Sequence, residues 1–513
     1  MLYFTVGKEI SEKNHFIEQI VMNILFIVKA IDFIDPQGIM QLSALAKAKG
    51  HGTFLGILDR DDIMRKIREV DPRVIAYSAT TGEHKYYLEI NKEIKKQFDV
   101  FTIMGGPHVT FNPECVDNST LDAICVGEGD EAFVEVIEAI ENGKDISHIE
   151  NIHTKTQKNN VRRLYPDIDK LPFPDRKIFY DSTEMKNFPI KSFMVSRGCP
   201  YNCSYCFNHA FREMYRGQGK LLRRNSVGRV IDEILEVKRN YPLQVIKFYD
   251  DIFVFSDDEW LRDFSREYKE KIGLPFHCLM RANLVTEEIV KLLKSAGCVS
   301  MSMSIEAANP HLRNEILKRN MTDEQLYKAF DLCVKYGIKT FANSIMGIPF
   351  STIEDDIATL DMNIKCKVSL AEFPIYFPYP RTELGEMCCE KGLFDGNYSS
   401  LHMSYQYRSP LNCFTEKHKS IQRNLSLLGT VVAAFPFLRN PVVKYLIYLP
   451  YNIVFYWLYL LSKIYVVKTK IYPFRLAAAD FFGMISKSVK VDKFKHVVKN
   501  KKDNQNTGGA DCG

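Results

Sequence analysis

The sequence lacks the features of a secreted protein. Its first residues, MLYFTVGKEISEKNHF, carry Lys8, Glu9, Glu12 and Lys13 where a signal peptide needs an apolar run. The cysteines number thirteen, an odd count, and most are scattered, which does not fit a framework of disulfide bonds. Low complexity is confined to the polar end, KNKKDNQNTGGADCG. We therefore expect a globular protein of the cytoplasm.

A strong charge of one sign is also lacking. The net charge is +5 over 513 residues, and the basic excess lies in one segment, 463–502, where eleven Lys and Arg face only two Asp. The chain before this segment is slightly acidic. A nucleic-acid partner is therefore not expected, because such proteins carry a basic face on the binding domain itself.

The chain divides into segments by the rhythm of its apolar runs. Residues 1–21 form a weakly patterned extension, and the strand-like MNILFIV makes Met22 a candidate start. From 22 to 143 short apolar runs alternate with helical patterns, which predicts a doubly wound parallel α/β domain. No Gly-x-Gly-x-x-Gly follows the first strand, so a dinucleotide-binding sheet is not favoured.

The βα rhythm resumes after a proline-rich stretch, 144–190, which is interpreted as a linker. Six further units occupy 191–400 and predict a partial (β/α)6 barrel of the TIM type, with its active face at the carboxyl ends of the strands. The candidate strands are 191–196, 245–250, 276–281, 299–305, 340–346 and 370–377. A mainly helical region, 401–498, and a disordered tail, 499–513, complete the prediction.

Three cysteines stand close together in SRGCPYNCSYCFNH, directly after the first barrel strand. Cys199, Cys203 and Cys206 offer three thiols, whereas a structural zinc site uses four ligands from paired cysteines, and no second pair has suitable spacing. A [4Fe-4S] cluster held by three cysteines leaves one iron open to a further ligand. The alternative, three structural thiols, does not explain their position on the active face.

The spacing Cys-x3-Cys-x2-Cys, with Tyr205 before the last cysteine, resembles the signature of the radical S-adenosylmethionine (SAM) superfamily. The resemblance implies a [4Fe-4S] cluster on the three cysteines and SAM on its open iron. It also implies SAM contacts near successive strand ends, from Tyr205, Asp250, Arg281, Ser304, Glu306, Asn343 and Gly347. Glu306 would bind the ribose hydroxyls, and Arg281 would pair with the SAM carboxylate. Each residue taken alone could also be an ordinary polar residue at a strand end.

With this barrel downstream, the first domain resembles the cobalamin-binding domain of the B12-dependent branch of the superfamily. Ser78 precedes Gly105 by a separation close to that of the branch's serine and double-glycine elements. The segments ATTGEHKY, GGPH, GEGDEA and PYPRTEL also resemble this branch. The resemblance implies cobalamin contacts from three strand-end turns, at Ser78, Thr80, Gly82, Gly105, Gly106 and Gly127.

One element of that domain is missing. The Asp-x-His-x-x-Gly motif that supplies a histidine below the cobalt is replaced by FIDPQG, with Asp35 at the histidine position. His84 and His108 lie on candidate rim loops, where they serve either as metal ligands or as hydrogen-bonding loop residues.

Other cysteines leave one alternative open. The first domain holds only Cys115 and Cys125, which argues against the related methylthiotransferases, whose first domain brings three cysteines for another cluster. Cys388, Cys389 and Cys413 lie beyond the barrel without ligand-like spacing, so a second cluster is a minor alternative.

The segment 445–462, YLIYLPYNIVFYWLYLLS, is apolar and free of charge. Pro450, Asn452, the five tyrosines and Trp457, and the basic run that follows, favour a helix lying in the membrane interface. The alternatives are a single span or re-entrant hairpin and an apolar cap on the barrel. We expect a peripheral attachment on the inner face of the cytoplasmic membrane.

The predicted function is methylation of an unactivated carbon by a cobalamin-dependent radical SAM enzyme working anaerobically. Oxidative cyclisation or rearrangement, as in enzymes resembling the anaerobic porphyrin-ring cyclase, is the alternative within the class. A non-catalytic cobalamin and iron-sulfur sensor or carrier is the alternative outside it. The expected partners are a small amphiphilic substrate, such as a lipid, isoprenoid or porphyrin, and an electron donor such as flavodoxin or ferredoxin.

Overall fold

The computed structural model describes residues 22–31, 34–402 and 404–474. The predicted extension 1–21, the tail 499–513 and most of the basic run lie outside these residues. Two α/β units and a helical C-terminal segment follow one another along the described chain.

The first unit is a six-stranded sheet in the order β2-β1-β3-β4-β5-β6. Its strands are β1 (Asn23–Val28), β2 (Gly52–Ile57), β3 (Val74–Ser78), β4 (Phe101–Gly105), β5 (Ala123–Cys125) and β6 (Ile152–His153). Its helices are α1 (Gln37–Ala48), α2 (Ile63–Val70), α3 (His84–Gln97), α4 (Pro107–Phe111) and α5 (Asp130–Glu141). All neighbouring strands are parallel except β5 and β6. The predicted doubly wound domain is confirmed.

Helices cover both faces of this sheet, which explains its continuous apolar strands. In β1, Phe26 faces one buried cluster, which includes Phe133 of α5. Leu25 and Ile27 face the opposite cluster, which includes Ile67 of α2. The carboxyl ends of the strands remain as the rim where loops can hold a ligand.

The segment 144–190 packs against the first domain. Its short helix α6 (Lys177–Tyr180) places Ile178, Phe179 and Tyr180 in the same buried cluster as Phe26. The prolines limit this stretch to short elements, as expected. The segment therefore contributes to the domain core as well as connecting the two units.

The second unit is a sheet of six parallel strands in the order β14-β13-β12-β11-β10-β7. A separate two-stranded antiparallel sheet, formed by β8 and β9, follows β7. The strands are β7 (Ile190–Phe193), β8 (Ser196–Arg197), β9 (Arg223–Arg224), β10 (Val245–Phe248), β11 (Phe276–Leu279), β12 (Cys298–Ser302), β13 (Lys339–Asn343) and β14 (Leu370–Glu372). The helices are α7 (Phe207–Met214), α8 (Val227–Asn240), α9 (Glu259–Glu267), α10 (Glu287–Ala296), α11 (Asp323–Lys335), α12 (Ile353–Lys365) and α13 (Glu383–Glu390). The predicted partial (β/α)6 barrel is confirmed.

The two faces of the barrel strands differ in chemistry. Outward-facing residues, among them Phe248, Cys278 and Met301, pack with the helices in one large core. The alternate residues face inward and include charged and polar side chains. We call the space they enclose the barrel chamber, lined by Met194, Lys247, Tyr249, His277, Ser302, Phe341, Asn343 and Glu372.

Both edges of the open barrel sheet are covered, which removes unpaired backbone groups. At β7, the Ser192 amide donates to Asp35 Oδ2 at 2.5 Å, and the Ser192 carbonyl accepts from Arg176 at 2.9 Å. At the other edge, just beyond β14, the Ser426 hydroxyl donates to the Phe373 carbonyl. The first domain thus seals one edge and the C-terminal segment the other.

The C-terminal segment consists of α14 (Glu416–Ala434), α15 (Arg439–Lys444) and α16 (Ile453–Val466), followed by a π-helical turn, Val467–Ile471. α16 buries Phe455, Tyr456, Tyr459 and Leu460 in the barrel core. Its other face leaves large apolar side chains exposed. The described part of the chain contains no helix with the length and apolar character that a bilayer span requires. The C-terminal segment caps the barrel, which was one of the three alternatives for its apolar stretch. Its outer face remains apolar.

Candidate active site

The three cysteines lie on the loop after the β8 strand, at the carboxyl end of the barrel sheet. Cys203 is buried, and Cys199 and Cys206 are partly exposed. Burial raises the pKa of Cys199 to about 11 and that of Cys206 to about 12. The thiols therefore need a bound cation to ionise, and metal binding would release their protons.

Within the described residues, no three His, Cys, Asp or Glu side chains gather around a single metal ion. A multi-iron cluster uses its cysteine ligands on separate irons, so three spaced thiols suit such a cluster better than one ion. The donor set on this loop, three thiols with no carboxylate or imidazole, fits that chemistry.

Two guanidinium groups lie beside Cys203. Arg281 Nη1 is 3.5 Å and Arg319 Nη1 is 3.7 Å from Cys203 Sγ. The Arg281 guanidinium also lies 3.8 Å from the centroid of the Tyr201 ring, a cation–π contact. Two positive charges from other parts of the barrel thus lie beside a sulfur that would bind iron.

Glu306 belongs to the same buried network. Tyr205 donates its hydroxyl proton to Glu306 Oε1 at 2.8 Å, and Arg319 Nη1 donates to the Tyr205 hydroxyl at 3.3 Å. Burial raises the pKa of Glu306, and the charge of Arg319 opposes this. Glu306 has φ of 66°, in the left-handed region that costs a non-glycine residue free energy. The network therefore holds this carboxylate in a strained, fixed position at the end of β12.

Asp250 has a supporting contact with the cluster loop. It is fully buried, and its Oδ1 accepts hydrogen bonds from the Val195 amide at 2.9 Å and from the Ser196 amide and hydroxyl at 2.6 and 2.7 Å. Burial raises the pKa of Asp250 to about 7. The carboxylate holds the residues that lead into the loop, and its predicted contact with SAM stays a prediction.

The remaining SAM candidates also lie at this end of the barrel. Ser304 follows β12, and its carbonyl accepts from Arg319 at 3.2 Å. Asn343 ends β13 with an exposed side chain on the chamber side. Gly347 has φ of 64°, and its amide donates to Asp356 at 3.1 Å. The structure thus brings the barrel candidates to one rim.

A cavity of about 450 Å³ lies where the first domain meets the barrel. Its walls include Ser78, Gly105, Gly106 and Gly127, at the ends of β3, β4 and β5, and Arg197 from the barrel. Its volume lies within the ~300–1,000 Å³ typical of small-molecule sites. Four of the six predicted cobalamin residues therefore line one cavity.

The other two, Thr80 and Gly82, lie on the loop after β3 but do not line the cavity. The Thr80 hydroxyl donates to Glu83 at 2.9 Å, and the Gly82 amide donates to His84 Nδ1 at 3.2 Å. Their contact with cobalamin stays a prediction.

Two cavity glycines are required because a Cβ at either position would collide with a neighbouring residue. A Cβ on Gly106 would lie 2.8 Å from the backbone N and O of Ala79, and its φ is 93°. A Cβ on Gly127 would lie 2.0 Å from the Tyr215 hydroxyl, which accepts a hydrogen bond from the Glu128 amide at 2.9 Å. Backbone alone forms this part of the wall, so a large ligand can approach closely.

Asp35, at the position of the missing axial histidine, points into the interface between the domains. Besides the Ser192 amide it accepts a hydrogen bond from the Tyr180 hydroxyl at 2.6 Å and lies 3.7 Å from Arg176. Its carboxylate is thereby engaged in holding the domains together.

His84 and His108 form a stacked pair, with ring centroids 3.7 Å apart. Burial lowers the pKa of His84 to about 4 and that of His108 to about 3, so both rings are neutral at pH 7. The Thr81 hydroxyl lies 3.2 Å from His108 Nδ1. The pair has hydrogen-bonding loop contacts, and metal ligation by either ring stays a prediction.

Comparison with known protein families decides between the alternative interpretations of the cysteine loop and of the cavity. The B12 binding domain model matches residues 26–137, and the radical SAM superfamily model matches residues 193–362. The chain is a radical SAM enzyme with a B12-binding domain. Its cofactors are S-adenosylmethionine, a [4Fe-4S] cluster and cobalamin.

Several relatives of this radical SAM enzyme are known by name. An uncharacterised methyltransferase of Pyrococcus horikoshii is 29% identical, over 70% of this chain and 79% of the relative. The cytidylyl-2-hydroxyethylphosphonate methyltransferase of Streptomyces wedmorensis is 23% identical over 68% and 72%. The anaerobic magnesium-protoporphyrin IX monomethyl ester cyclase of Rubrivivax gelatinosus is 24% identical over 68% and 65%.

A solved structure has the same fold. The cobalamin-dependent SAM radical enzyme OxsB, with aqua-cobalamin and SAM bound, superposes with a TM-score of 0.63 at 15% identity. The match covers 94% of this chain and 77% of that one, so the likeness of fold extends into the C-terminal segment.

Sequence reasoning missed Arg319, which contacts Cys203, Tyr205 and Ser304. It lies in a polar turn before α11, where no periodicity marks it. It also missed Tyr201, although its place between two cluster cysteines was a usable signal. A second cluster at Cys388, Cys389 and Cys413 stays a minor alternative.

Proposed function

We propose that this radical SAM enzyme methylates an unactivated carbon of an amphiphilic substrate. One observation carries the proposal. Ser196 and Arg197 line the cobalamin cavity, and Cys199 of the cluster loop follows two residues later. The two cofactor sites therefore share one wall at the carboxyl rim of the barrel, where a substrate in the chamber can reach both.

When bound, the cluster and SAM supply the electron and the group that removes a substrate hydrogen, and cobalamin supplies the methyl group. The protein positions these groups. Arg281 and Arg319 provide donors for a carboxylate, and Glu306 provides an acceptor for hydroxyl groups. The chamber, closed by α14 and α16, limits the access of water to the reacting carbon.

Methylation is also supported by the names of two of the relatives. Oxidative cyclisation or rearrangement is the alternative, supported by the likeness to the porphyrin ester cyclase. A non-catalytic sensor would have no need for donors placed to bind SAM. The product distinguishes the first two, because methylation adds one CH2 and cyclisation changes only unsaturation.

The experiment is anaerobic incubation of the reconstituted enzyme with SAM, a strong reductant and an extract of deletion cells. We expect 5′-deoxyadenosine, S-adenosylhomocysteine and a metabolite heavier by one CH2, none of them above background in the Cys203→Ala variant. A product of unchanged carbon number would support cyclisation, and absence of both nucleosides would overturn the catalytic proposal.

We further propose that the outer face of α16 attaches the enzyme to the inner face of the cytoplasmic membrane. This face and the preceding turn expose Tyr445, Tyr448, Leu449, Ile453, Val454, Trp457, Leu458, Leu461 and Tyr465. Burying a large apolar side chain contributes about 1.5–3 kcal/mol. Lys463, the first lysine of the basic run, does not join this face, because it pairs with Glu372 inside the barrel.

Substitution tests this attachment better than truncation, since α14 and α16 also carry barrel core. The triple variant Val454→Ser, Leu458→Ser, Leu461→Ser should lose co-sedimentation with anionic liposomes while keeping its cluster. Val334→Ser, an exposed apolar residue of α11, is the matched control. Equal sedimentation of wild type and triple variant would contradict the proposal.

The electron for SAM cleavage would come from a reduced carrier, for which we propose a flavodoxin or ferredoxin. Reduced flavodoxin should replace the chemical reductant in forming 5′-deoxyadenosine. No turnover with either carrier would contradict this part of the proposal.

A further inference from the structure

The barrel chamber is open inside the fold. Met194 and Tyr249 directly follow the carboxyl ends of the adjacent strands β7 and β10 and are 38% and 39% exposed. Asn343 at the end of β13 is also exposed, and Lys247, deeper on β10, is partly exposed. Side chains facing the interior of a filled barrel would be buried. Space for a ligand therefore extends from the rim into the chamber.

One wall of the chamber carries a paired charge. Lys463 of α16 contacts the Glu372 carboxylate, and the Tyr459 hydroxyl donates to the same carboxylate at 2.9 Å. Burial disfavours both charges, but Lys463 lowers the pKa of Glu372, and Glu372 raises that of Lys463 well above its usual value. Glu372 is therefore already neutralised by one cation.

Lys247 is a second cation on the chamber side. Its Nζ lies 4.3 Å from the centroid of the Tyr249 ring and 6.0 Å from that of Tyr472. Among residues 22–31, 34–402 and 404–474 it makes no hydrogen bond or ion pair, and its side chain is only partly buried. The Glu372 carboxylate acts on this ammonium group across the chamber, but no side chain in the described part of the chain accepts a hydrogen bond from it, so its donors are open to a ligand.

The other groups near Lys247 do not supply a hydrogen-bond acceptor for its ammonium group. His277 is held between the Ser300 and Ser302 hydroxyls at 2.7 and 2.9 Å, and burial keeps its pKa well below the usual value, so it is neutral. Asp35 lies beyond β7, where its charge raises the pKa of Lys247 from a distance, and its carboxylate is already paired with Arg176. The chamber thus holds Lys247, Lys463 and Glu372 as its charges, a net excess of one positive charge.

We propose that Lys247 binds an anionic group of the substrate, a carboxylate or a phosphate, at the end of an apolar body that extends to the rim. Leu279 and Phe341 offer the apolar part of the wall, and Met194, which also lines the cobalamin cavity, extends it at the rim. This rests on the proposed function, which places a substrate in the chamber.

The registers give the length of that body. In the strand register, Lys247 lies beside His277 of β11. His277 precedes Arg281, which lies at the rim just beyond the end of β11, by four residues. At about 3.3 Å per residue, the anion site lies at most roughly 13 Å below the rim, because the chain leaves the strand after Leu279. The reacting carbon is therefore remote from the anionic group.

The test measures binding to the anaerobic holoenzyme by calorimetry with three probes of equal chain length, hexanoate, hexyl phosphate and hexan-1-ol. At least one of the two anions should bind wild type more tightly than the alcohol does. The anion with the higher affinity identifies the anionic group of the substrate. Lys247→Met should weaken anion binding about tenfold or more, with alcohol binding unchanged. Lys291→Met, on the outer surface of α10, is the matched control.

Burial lowers the pKa of Lys247 to about 8, opposed by Glu372 and aided by Lys463. The ammonium form is lost as pH rises through about 8, so anion affinity should fall there in wild type and not in Lys247→Met. Lys247→Arg, which keeps the charge, should retain anion binding even if the methionine variant folds poorly.

The proposal is overturned if no probe binds wild type, if the alcohol binds as well as the anions, or if Lys247→Met binds the anions like wild type. None of these readouts uses methylation. Loss of the methylated product with intact anion binding would count against the proposed function alone.

Discussion

The cobalamin cavity and the barrel chamber recognise ligands by different means. The cavity wall contributed by the first domain combines backbone at Gly105, Gly106 and Gly127 with apolar side chains, and its carboxylates Glu128 and Asp130 are paired with Arg197. The nearby His84 and His108 are neutral. The barrel has buried charges in contact with one another, at the rim and inside the chamber. Large neutral surfaces suit recognition by shape, whereas the charged amino-acid part of SAM needs fixed charges.

This difference predicts how each site fails. Removing one charge from a buried network leaves its partner without compensation, which costs more than the loss of a contact. Adding a methyl group to a backbone wall changes shape and leaves charge untouched. The expected effects therefore decrease from the barrel to the first domain.

The largest effect is expected for Arg319→Leu. This change leaves Glu306 and Tyr205 buried beside Cys203 without their shared cation. We expect formation of 5′-deoxyadenosine to fall about a thousandfold, with iron content measured in parallel. Arg319→Lys should recover part of the rate, and Arg266→Leu, on an exposed helix face, should have none of the effect. If the leucine variant cleaved SAM at the normal rate, the buried charge network would not be needed for SAM cleavage, and the contrast between the two sites would fail.

The next effect is on stability, from Lys463→Met. It leaves the partly buried Glu372 without its ion-pair partner, at a cost of about 2–3 kcal/mol in the free energy of unfolding. Denaturant unfolding measures this, and SAM cleavage at the rim should persist. The double variant Lys463→Met, Glu372→Gln should recover much of the loss, since no charge is then stranded. Additive losses would show that the pair is not coupled.

A smaller effect concerns the neutral histidines. The pKa of His108 is about 3 in the folded protein and about 6.5 when unfolded, so the unfolded state binds more protons between these values. Stability is fully present above pH 6.5 and is lost as pH falls toward 3. Between pH 7 and 5 the loss from this residue is about 2 kcal/mol. His108→Gln should flatten the pH profile of unfolding by that amount, and an unchanged profile would mean that the ring titrates normally.

The smallest effect is expected for Gly106→Ala. The new Cβ would clash with the backbone of Ala79, so cobalamin content after reconstitution should fall about tenfold while iron content stays constant. Gly143→Ala is the matched control, since it has φ of 61° but nothing within 4 Å of the added Cβ. Equal cobalamin loss in both variants would assign the effect to backbone strain and not to the cavity wall.

Local patterns in the sequence were enough for much of this architecture. The alternation of apolar runs predicted both sheets, and the strand positions agree within a few residues. The cysteine spacing and the glycines at strand ends marked the cluster loop and the cobalamin cavity. These features can be read from the sequence because each depends on residues that are close together along the chain.

Contacts between distant residues were decided by the tertiary structure. Tyr205 and Glu306 are 101 positions apart, and Tyr459 and Glu372 are 87 apart. The apolar segment 445–462 was expected to lie in a membrane interface, yet one face of it packs on the barrel, because hydrophobicity alone does not say which apolar surface it will cover. Charges and apolar faces acquire partners only when strands and helices pack. The sequence thus determined the elements and the cofactor loops, and packing decided which charges meet around the chamber.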